Sequence, residues 1–514
     1  MRGIASLVPR AHGRQILAAL VGLGLVIAVV RLHTYDEPLE RDLTSYAVIA
    51  HELLGGRPLY SDLWDHKPPA IHATYAIGEL LAGYGPASVY LLGVIAAVLT
   101  LVGVYHAAAG VGVAGGLWAA SLWTAVSSDL WFQANQPNTE VFINACLIWA
   151  FALMMRLEGR AAGLGRFAVI GLLFALASLY KQVALAPAAA LLVAHGAFPP
   201  AATSRRRAVA DVVLASGVIA AAWGAVLGYF AATGRLSAFV DAVFAYNRAY
   251  AGSLSTNLAR GLHPSLLVPT SLAIVLPLAV LTIGGALIAL RAAESRRIGV
   301  LFLALLGGAY VAIALPRFFH AHYYQLWLPP LTAGAGWAIG FATRRAAWRY
   351  AWLPHALAAA LVILVIVNEA PAYRFTPEDW SRIKYKSEIF IFSKELGHEL
   401  DMLLAPGETF YQWGNESGLY FASRRSPPTG TFFVFPLVVG PLADDLSARV
   451  VADLTRAQPE LVVALQIAFR PEFSHPVLDW LRLRYRPIHD PERGPFLLLV
   501  RRGGRLEARL GPTG

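Results

Sequence analysis

Eleven long apolar segments constrain the fold of this sequence more than any other feature. An α-helix needs about 20 mostly apolar residues to cross the hydrocarbon core of a bilayer. Candidate segments run at about 15–32, 86–108, 112–128, 139–155, 166–180, 183–199, 209–232, 265–290, 299–315, 324–343 and 352–369. Only 14% of the residues are charged, whereas a soluble domain has about 25%. This composition excludes a soluble globular enzyme, and we predict a polytopic α-helical membrane protein with about eleven transmembrane helices.

The arginines predict the orientation of these helices, because lysine and arginine are enriched in cytoplasmic loops. If the N-terminus is cytoplasmic, most basic residues before position 370 fall on that side: Arg2, Arg10, Arg14, Arg156, Arg160, Arg166, Arg205, Arg206, Arg207, Arg291, Arg296, Arg297, Arg344, Arg345 and Arg349. Eleven passes then place the C-terminus outside the cytoplasm. The net charge of +10 is therefore mainly a topology signal, and we expect no nucleic-acid partner.

The two ends of the chain need separate interpretation. No Ala-x-Ala cleavage site follows the first apolar segment, so we interpret it as a retained anchor and not a signal peptide. From about residue 370 the composition becomes that of a soluble domain. Strand-like runs at 408–413, 431–435, 460–465 and 495–500 alternate with helical stretches at about 383–404, 441–457 and 473–483. We predict a membrane domain at 1–369 and an extracytoplasmic α/β domain at 370–514.

An acidic loop at 33–69 separates the first two apolar segments. It carries seven carboxylates: Asp36, Glu37, Glu40, Asp42, Glu52, Asp62 and Asp65. Residues 42–54 predict an amphipathic helix, with Tyr46, Ile49, Ala50 and Leu53 on one face. A second amphipathic segment follows at about 69–83. Two helices lying at the membrane surface would form a floor for a lipid head group.

The motifs of this loop resemble the first external loop of GT-C glycosyltransferases. The matching pieces, in order, are Asp42, Tyr46-Ala47, Gly55-Gly56, Tyr60 and Lys67-Pro68-Pro69. The nearest branch is that of the dolichyl-phosphate-mannose protein mannosyltransferase-like and lipid A aminoarabinose transferase-like enzymes. The family pattern has Asp-Glu at the catalytic position, where this chain has Asp42-Leu43. Segments at 134–141 and 316–324 and the pair Lys181-Gln182 fit the same family.

The resemblance implies a membrane glycosyltransferase that uses a lipid-linked donor. Such an enzyme would transfer a monosaccharide from a polyprenyl phosphate to a lipid, glycan or protein acceptor, with inversion, at the outer face of the inner membrane. Its partners would be the donor, the acceptor and membrane lipids. The sequence leaves one alternative from another class, a polytopic transporter or flippase. A catalytically inactive GT-C scaffold is a third interpretation.

Asp42 and Lys67 are the principal candidates for the chemistry. Asp42 would be the base that takes the proton of the acceptor hydroxyl, since a positioned carboxylate accelerates such steps about 10² to 10⁴-fold. The alternative interpretation is that Asp42 caps the following helix. Lys67 would hold the phosphate leaving group as a point charge. Its alternative is a topology signal or a salt bridge to Asp65.

Further residues are predicted to bind substrate: Arg41, Tyr60, Glu140, Arg248, Arg317, His320, His322 and Tyr323. Glu140 begins an apolar segment, where a carboxylate either serves function or complements the helix dipole. The arginine and histidines of 316–324 contact phosphate or sugar in the preferred interpretation, and anchor the interface in the other. No cofactor is certain; a divalent metal is left open, with Asp36, Glu37 and Glu140 as candidate ligands. The single cysteine, Cys146, excludes a disulfide within the chain.

Overall fold

The computed structural model describes residues 10–156, 164–263, 269–488 and 494–510. In the N-terminal half of the chain the helices are α1 (Arg10–Arg31), α2 (Arg41–Leu54), α3 (Ala70–Ala82), α4 (Pro86–Ala108), α5 (Val113–Val126), α6 (Thr139–Met155), α7 (Leu164–Tyr180), α8 (Leu185–Ala197), α9 (Arg205–Ala232), α10 (Leu236–Val240), α11 (Tyr246–Ala251) and α12 (Leu254–Arg260). The helices that follow are α13 (Pro269–Arg291), α14 (Arg296–Ala314), α15 (Leu328–Arg345), α16 (Leu353–Glu369), α17 (Pro377–Tyr385), α18 (Ile389–Leu403), α19 (Gly418–Ser423), α20 (Phe435–Val438), α21 (Ala443–Ala457), α22 (Pro476–Arg484) and α23 (Arg505–Leu510).

Each predicted apolar segment coincides with a helix, namely α1, α4 to α9 and α13 to α16. Within the described ranges, six helices are long and apolar enough to cross a membrane: Gly13–Thr34, Pro86–Val111, Arg205–Ala232, Ile274–Arg291, Arg296–Ala314 and Leu353–Arg374. The protein is therefore a multi-pass helical membrane protein, and the total of eleven spans stays a prediction. Arg2, Arg160 and the first residues of the segment at 265–290 lie outside the described residues.

Two compact units divide the chain, and both are discontinuous in sequence. The membrane unit comprises Met1–Tyr35, Tyr90–Tyr229 and Ala251–Phe375. The sheet unit comprises Asp36–Val89, Phe230–Tyr250 and Thr376–Gly514. The acidic loop thus groups with the C-terminal residues, because its backbone and side chains contact them at many points.

Small residues set the packing of α15 in the membrane unit. A Cβ atom placed on Gly336 would lie 2.5 Å from the Gly115 carbonyl oxygen of α5, and one on Gly285 of α13 would lie 2.6 Å from the Gly334 carbonyl oxygen. Membrane helices associate through such close backbone approaches, since lipid removes the usual hydrophobic driving force. The indole of Trp337, which is fully buried, donates to the Ala107 carbonyl at 3.0 Å and fixes the register of α15.

A four-stranded sheet forms the core of the C-terminal part of the sheet unit. Its strands are β1 (Phe410–Trp413), β2 (Leu461–Leu465), β3 (Tyr485–Ile488) and β4 (Phe496–Arg501), in the order β1-β2-β4-β3. β1 and β2 are parallel, and the other two pairs are antiparallel. Val462 and Leu499 face each other across the buried centre of the sheet. The predicted α/β organisation is confirmed.

Three details of the predicted C-terminal elements are wrong. The run at 431–435 is not a strand, because the Phe432 carbonyl accepts from the side chain of Gln412 and not from a neighbouring strand. The predicted helix at 383–404 is two helices, α17 and α18, separated at Lys386 by a left-handed residue with φ 50°. Strand β3 has no counterpart among the predicted strands; its Pro487 is tolerated because β3 lies at the edge of the sheet.

Candidate active site

Helix α2 places Asp42 in its first turn, but Asp42 is not the helix cap. The cap is Glu40, whose carboxylate accepts the backbone N–H of Asp42 at 3.0 Å. The interpretation of Asp42 as a capping residue is therefore wrong. Its carboxylate remains 35% exposed, so the structure leaves it available for other contacts.

Lys67 brings the second part of the predicted motif to Asp42. Its ammonium lies 3.6 Å from Asp42 Oδ1 and 3.9 Å from Asp65 Oδ1. The same group sits 5.0 Å from the centroid of the Tyr46 ring. For a lysine side chain only 9% exposed, such partners offset the loss of hydration. The predicted salt bridge to Asp65 is present as well, so Lys67 lies between two carboxylates.

Asp65 organises the turn that carries Lys67. Its carboxylate is 3% exposed and accepts the backbone N–H of His66 at 2.6 Å. The imidazole of His72, which is fully buried, lies 3.2 Å away through Nε2. Burial alone raises the pKa of Asp65, but Lys67 and the two histidines hold it well below its usual range. Asp65 is therefore a fixed negative charge beneath the Lys67 ammonium.

Tyr60 supports the same turn through its hydroxyl, which donates to the Lys67 carbonyl at 2.7 Å. The ring is fully buried and packs edge-on against Phe230 and Phe239. Tyr60 also has a positive φ of 71°, a conformation that costs free energy in a non-glycine residue. In this arrangement Tyr60 positions the backbone of Lys67, while a direct contact with substrate stays a prediction.

Residues near the end of β1 hold the first turn of α2. Arg41 pairs with Glu416 at 3.1 Å. The fully buried Ser417 lies 2.7 Å from the hydroxyl of Thr44, accepts from Ser45 at 2.8 Å and donates to the Arg41 carbonyl at 2.7 Å. The helix that presents Asp42 is thus fixed by the C-terminal part of its own unit.

Of the two candidate metal ligands in the acidic loop, Asp36 is exposed and Glu37 is paired with a lysine. Glu37 forms an ion pair with Lys384 of α17, and both side chains are buried. The backbone carbonyl of Asp36 accepts from Lys394 of α18 at 2.7 Å. Among the described residues no group of three or more histidine, cysteine, aspartate or glutamate side chains could hold a metal ion. A lysine partner makes Glu37 a poor metal ligand.

Helix α11 places two further polar residues in the sheet unit. Asn247, which is half-buried, donates to the His66 carbonyl at 2.6 Å, so it supports the turn of Lys67 from another side. The next residue, Arg248, is exposed. A role of Arg248 in binding phosphate stays a prediction.

The membrane unit contains a second cluster of predicted residues, centred on Glu140. This carboxylate is 1% exposed and pairs with Lys181 at 2.8 Å. It also accepts from Thr139 at 2.9 Å. The ammonium of Lys181 lies 3.9 Å from the centroid of the Tyr323 ring. Lys181 therefore forms an ion pair with a buried acid of the membrane unit.

The segment before α15 carries the remaining candidates. His322, mostly buried, lies 3.1 Å from the side-chain oxygen of Gln133 and stacks on His320 with centroids 5.6 Å apart. His320 and Arg317 are exposed, and the guanidinium of Arg317 lies over the Phe318 ring. A role of these side chains in binding phosphate or sugar stays a prediction, and their contacts with aromatic rings equally suit the anchoring alternative.

Comparison with solved structures identifies the fold. ArnT from Cupriavidus metallidurans in the apo state matches with a TM-score of 0.61 at 17% identity, covering 96% of this chain and 98% of that chain. ArnT bound to undecaprenyl phosphate gives a TM-score of 0.56 at 16% identity, with 94% and 97% covered. This chain has the GT-C fold. The GT-C match extends to the oligosaccharyltransferase AglB from Archaeoglobus fulgidus, in complex with an inhibitory peptide and a dolichol-phosphate. Its TM-score is 0.55 at 12% identity, over 95% of this chain and 74% of that chain. No protein-family model and no curated protein sequence matches the chain.

Several residues of the site were not identifiable from the sequence alone. The sequence assigned no role to Glu40 or His72, and it gave Asp65 only as a possible salt-bridge partner of Lys67. Glu416 and Ser417 belong to a turn some 370 residues from α2 along the chain, so no local pattern connects them to it. An Asp two residues before the Lys-Pro-Pro motif is the one local signal that could have revealed Asp65.

Proposed function

We propose that this protein is a glycosyltransferase that moves a monosaccharide from a polyprenyl-phosphate donor to a hydroxyl of a lipid, glycan or protein acceptor. The observation that carries the proposal is the pair of Asp42 and Lys67, a carboxylate and an ammonium 3.6 Å apart in a GT-C membrane protein. Two neighbours of the same fold support a lipid-linked donor. One is ArnT bound to undecaprenyl phosphate, and the other is AglB in complex with a dolichol-phosphate.

The two groups are suited to a single displacement at the sugar. The acceptor oxygen forms a bond to the anomeric carbon while the bond from that carbon to the phosphate oxygen breaks. Asp42 takes the acceptor proton, and the electron pair of the broken bond goes to the phosphate oxygen. Lys67 stabilises this charge, which grows only as the bond breaks, so its effect is larger in the transition state than before it. Attack on the face opposite the phosphate inverts the anomeric carbon.

The ion pair suggests how donor binding would prepare the base. Lys67 lies 3.6 Å from Asp42 Oδ1, and an ammonium at this distance stabilises the charged form of a carboxylate. A phosphate that binds Lys67 competes with Asp42 for the same positive charge. Donor binding therefore frees Asp42 to accept a proton, while Asp65 keeps the lysine in place from the other side. This order restricts proton abstraction to the complex that holds a donor.

We infer the cellular placement from charge distribution. Arginines on alternate sides of the apolar helices favour a cytoplasmic N-terminus, with the acidic loop and residues 370–514 on the extracytoplasmic side of the inner membrane. A lipid donor flipped to that side needs no nucleotide-binding motif in the enzyme. The domains 1–369 and 370–514 would then act together, since residues of the second hold the helix of Asp42.

A transfer assay with purified protein tests the function. The donors are short-chain polyprenyl phosphates carrying single sugars, the acceptors are lipid and glycan extracts of host membranes, and products are identified by mass spectrometry. Asp42→Asn keeps the shape of the side chain but is not basic at neutral pH, so turnover should fall about 10² to 10⁴-fold with donor affinity little changed. Lys67→Ala should reduce both donor affinity and turnover, and Lys67→Arg should recover part of the loss.

The matched control is Asp62→Asn, in the same loop, where the carboxylate pairs with Arg57 and not with Lys67. This control should keep its donor turnover. Full activity of Asp42→Asn would remove Asp42 from the mechanism. Failure of the wild-type protein to consume any of the donors, combined with movement of a lipid-linked sugar across vesicles, would favour the flippase alternative.

A further inference from the structure

Glu40 is the buried carboxyl group next to the proposed base. Its side chain is turned back along the start of α2, so that one oxygen accepts the Asp42 backbone N–H at 3.0 Å. The residue is only 7% exposed. Serine, threonine, asparagine and aspartate are the preferred capping residues. A long glutamate buried in this role therefore suggests a purpose besides capping.

Charged and titratable groups on several elements act on Glu40. Arg41 and Asp42 belong to its own helix, Lys67 to the turn before α3, Tyr75 to α3, and Lys384 to α17, where it pairs with Glu37. Burial, and next the carboxylate of Asp42, raise the pKa of Glu40 to about 8, against the opposing effects of the Asp42 backbone N–H, Arg41 and Lys67. A carboxyl group with this pKa is mostly protonated at neutral pH.

The position of Leu43 explains why a second carboxyl group would come from residue 40. The family pattern has Asp-Glu at the catalytic position, and Leu43 occupies the place of the glutamate. Leu43 is completely buried, and successive residues of a helix point about 100° apart. A charge at residue 43 would therefore be fully buried, whereas the capping position brings a carboxyl group to the backbone N–H of Asp42.

We propose that Glu40 is a positioning residue of the transfer reaction, which holds Asp42 through the cap while protonated and so leaves Asp42 as the single anionic carboxyl of the pair. This inference rests on the proposed function. A protonated carboxyl group accepts through one oxygen and donates through the other, and it adds no negative charge where the phosphate leaves. Ionisation of Glu40 at higher pH places a second anion in the site and repels that phosphate.

Two substitutions separate the role of Glu40 as the helix cap from the role of its ionisable proton. Glu40→Gln keeps the length of the side chain and an acceptor for the Asp42 N–H, but it does not ionise. Glu40→Ala removes both. We measure kcat and the donor KM from pH 6 to 10 with the polyprenyl-phosphate sugar that the wild-type protein consumes. Wild-type kcat should fall with an apparent pKa of about 8, and Glu40→Gln should lose this alkaline fall, with kcat at pH 7 reduced by less than about tenfold.

Glu40→Ala should reduce kcat at least about tenfold at every pH, with donor KM nearly unchanged, because Asp42 is displaced while Lys67 stays. The matched control is Glu395→Gln, an exposed carboxylate on α18, which should keep the wild-type profile. Thermal melting of each variant in detergent separates a misfolded protein from a mispositioned base. The proposal is overturned if kcat of Glu40→Gln still falls at alkaline pH as it does in the wild-type protein. It is also overturned if Glu40→Gln lowers kcat at every pH as much as Asp42→Asn does, since that result would require an ionised Glu40.

Infrared spectroscopy tests the protonation of Glu40 without any donor. The difference between the wild-type protein and Glu40→Gln should contain the carbonyl band of a carboxylic acid at pH 7, and this band should disappear by pH 9. Absence of the band at pH 7 overturns the inference even if transfer is observed. Presence of the band without transfer to any acceptor would contradict the proposed function and leave the state of Glu40 established.

Discussion

Substitution of Asp65 by asparagine tests whether a fixed charge holds Lys67. The Asp65 carboxylate and the Lys67 ammonium are 3.9 Å apart. Coulomb's law gives about 4 kcal/mol for this pair at an effective dielectric constant of about 20. Asparagine keeps the bond to the His66 backbone, and Lys67 retains Asp42 at 3.6 Å. We therefore expect roughly half of this free energy, about 2 kcal/mol, to appear as lost coupling between residues 65 and 67.

A double-mutant cycle measures that coupling. Asp65→Asn is introduced into the wild-type protein and into Lys67→Met, and unfolding is followed by tryptophan fluorescence in mild detergent. A coupling below about 0.5 kcal/mol would refute the argument, since the two side chains would then contribute independently.

The ionisation of Asp65 also predicts how the stability of the folded protein changes with pH. The pKa of Asp65 is held well below its usual range in the folded protein. Its contribution to stability is therefore complete above the pKa of an unfolded aspartate, about 3.9, and is lost only as the pH falls below that value. Asp65→Asn should lack this acid-dependent loss. If the variant and the wild-type protein lose stability equally as the pH falls, other carboxylates and not Asp65 cause that loss.

Three further predictions concern other parts of the structure. Gly430→Ala should unfold the sheet unit or strongly destabilise it, because a Cβ atom there would lie 1.4 Å from the Asp62 carbonyl oxygen. Thermal melting measures this effect. The control Gly418→Ala should be tolerated, because its Cβ atom would meet only ordinary contacts. Lys181→Ala should cost about 3 to 5 kcal/mol, since it leaves the buried Glu140 unpaired, and adding Glu140→Gln should recover part of that loss in the same melting assay. A reporter fused to Gly514 should be active only outside the cytoplasm, and cytoplasmic activity alone would overturn the orientation.

The membrane helices and the central motif were predictable from sequence because their signals are local. An apolar run identifies a helix such as α4 without knowledge of its neighbours, and Asp42 and Lys67 lie only 25 positions apart within one loop. The alternative interpretation, that Asp42 caps the helix, is wrong; it arose because aspartate is a preferred capping residue and glutamate is not. Only the observed backbone places Glu40 at the cap and Asp42 inside the helix.

Long-range contacts account for the remaining errors. The run at 431–435 has the composition of a strand, yet its backbone follows the acidic loop: the Gly430 carbonyl accepts from Trp64 at 3.0 Å. Ser417 has no signature that would connect it with α2. Such contacts depend on the tertiary fold, which overrides local preference and is not visible in periodicity.

The bond between Thr44 and Ser417 joins residues that are 373 positions apart. A ribosome adding about 5 to 20 residues per second makes the second of these residues roughly 20 to 75 s after the first. Throughout that interval the helix of Asp42 has emerged without the serine that fixes it. A nascent or prematurely terminated chain therefore carries Asp42 but not the contact that holds its helix. If Asp42 is the proposed base, sugar transfer has to await completion of the polypeptide.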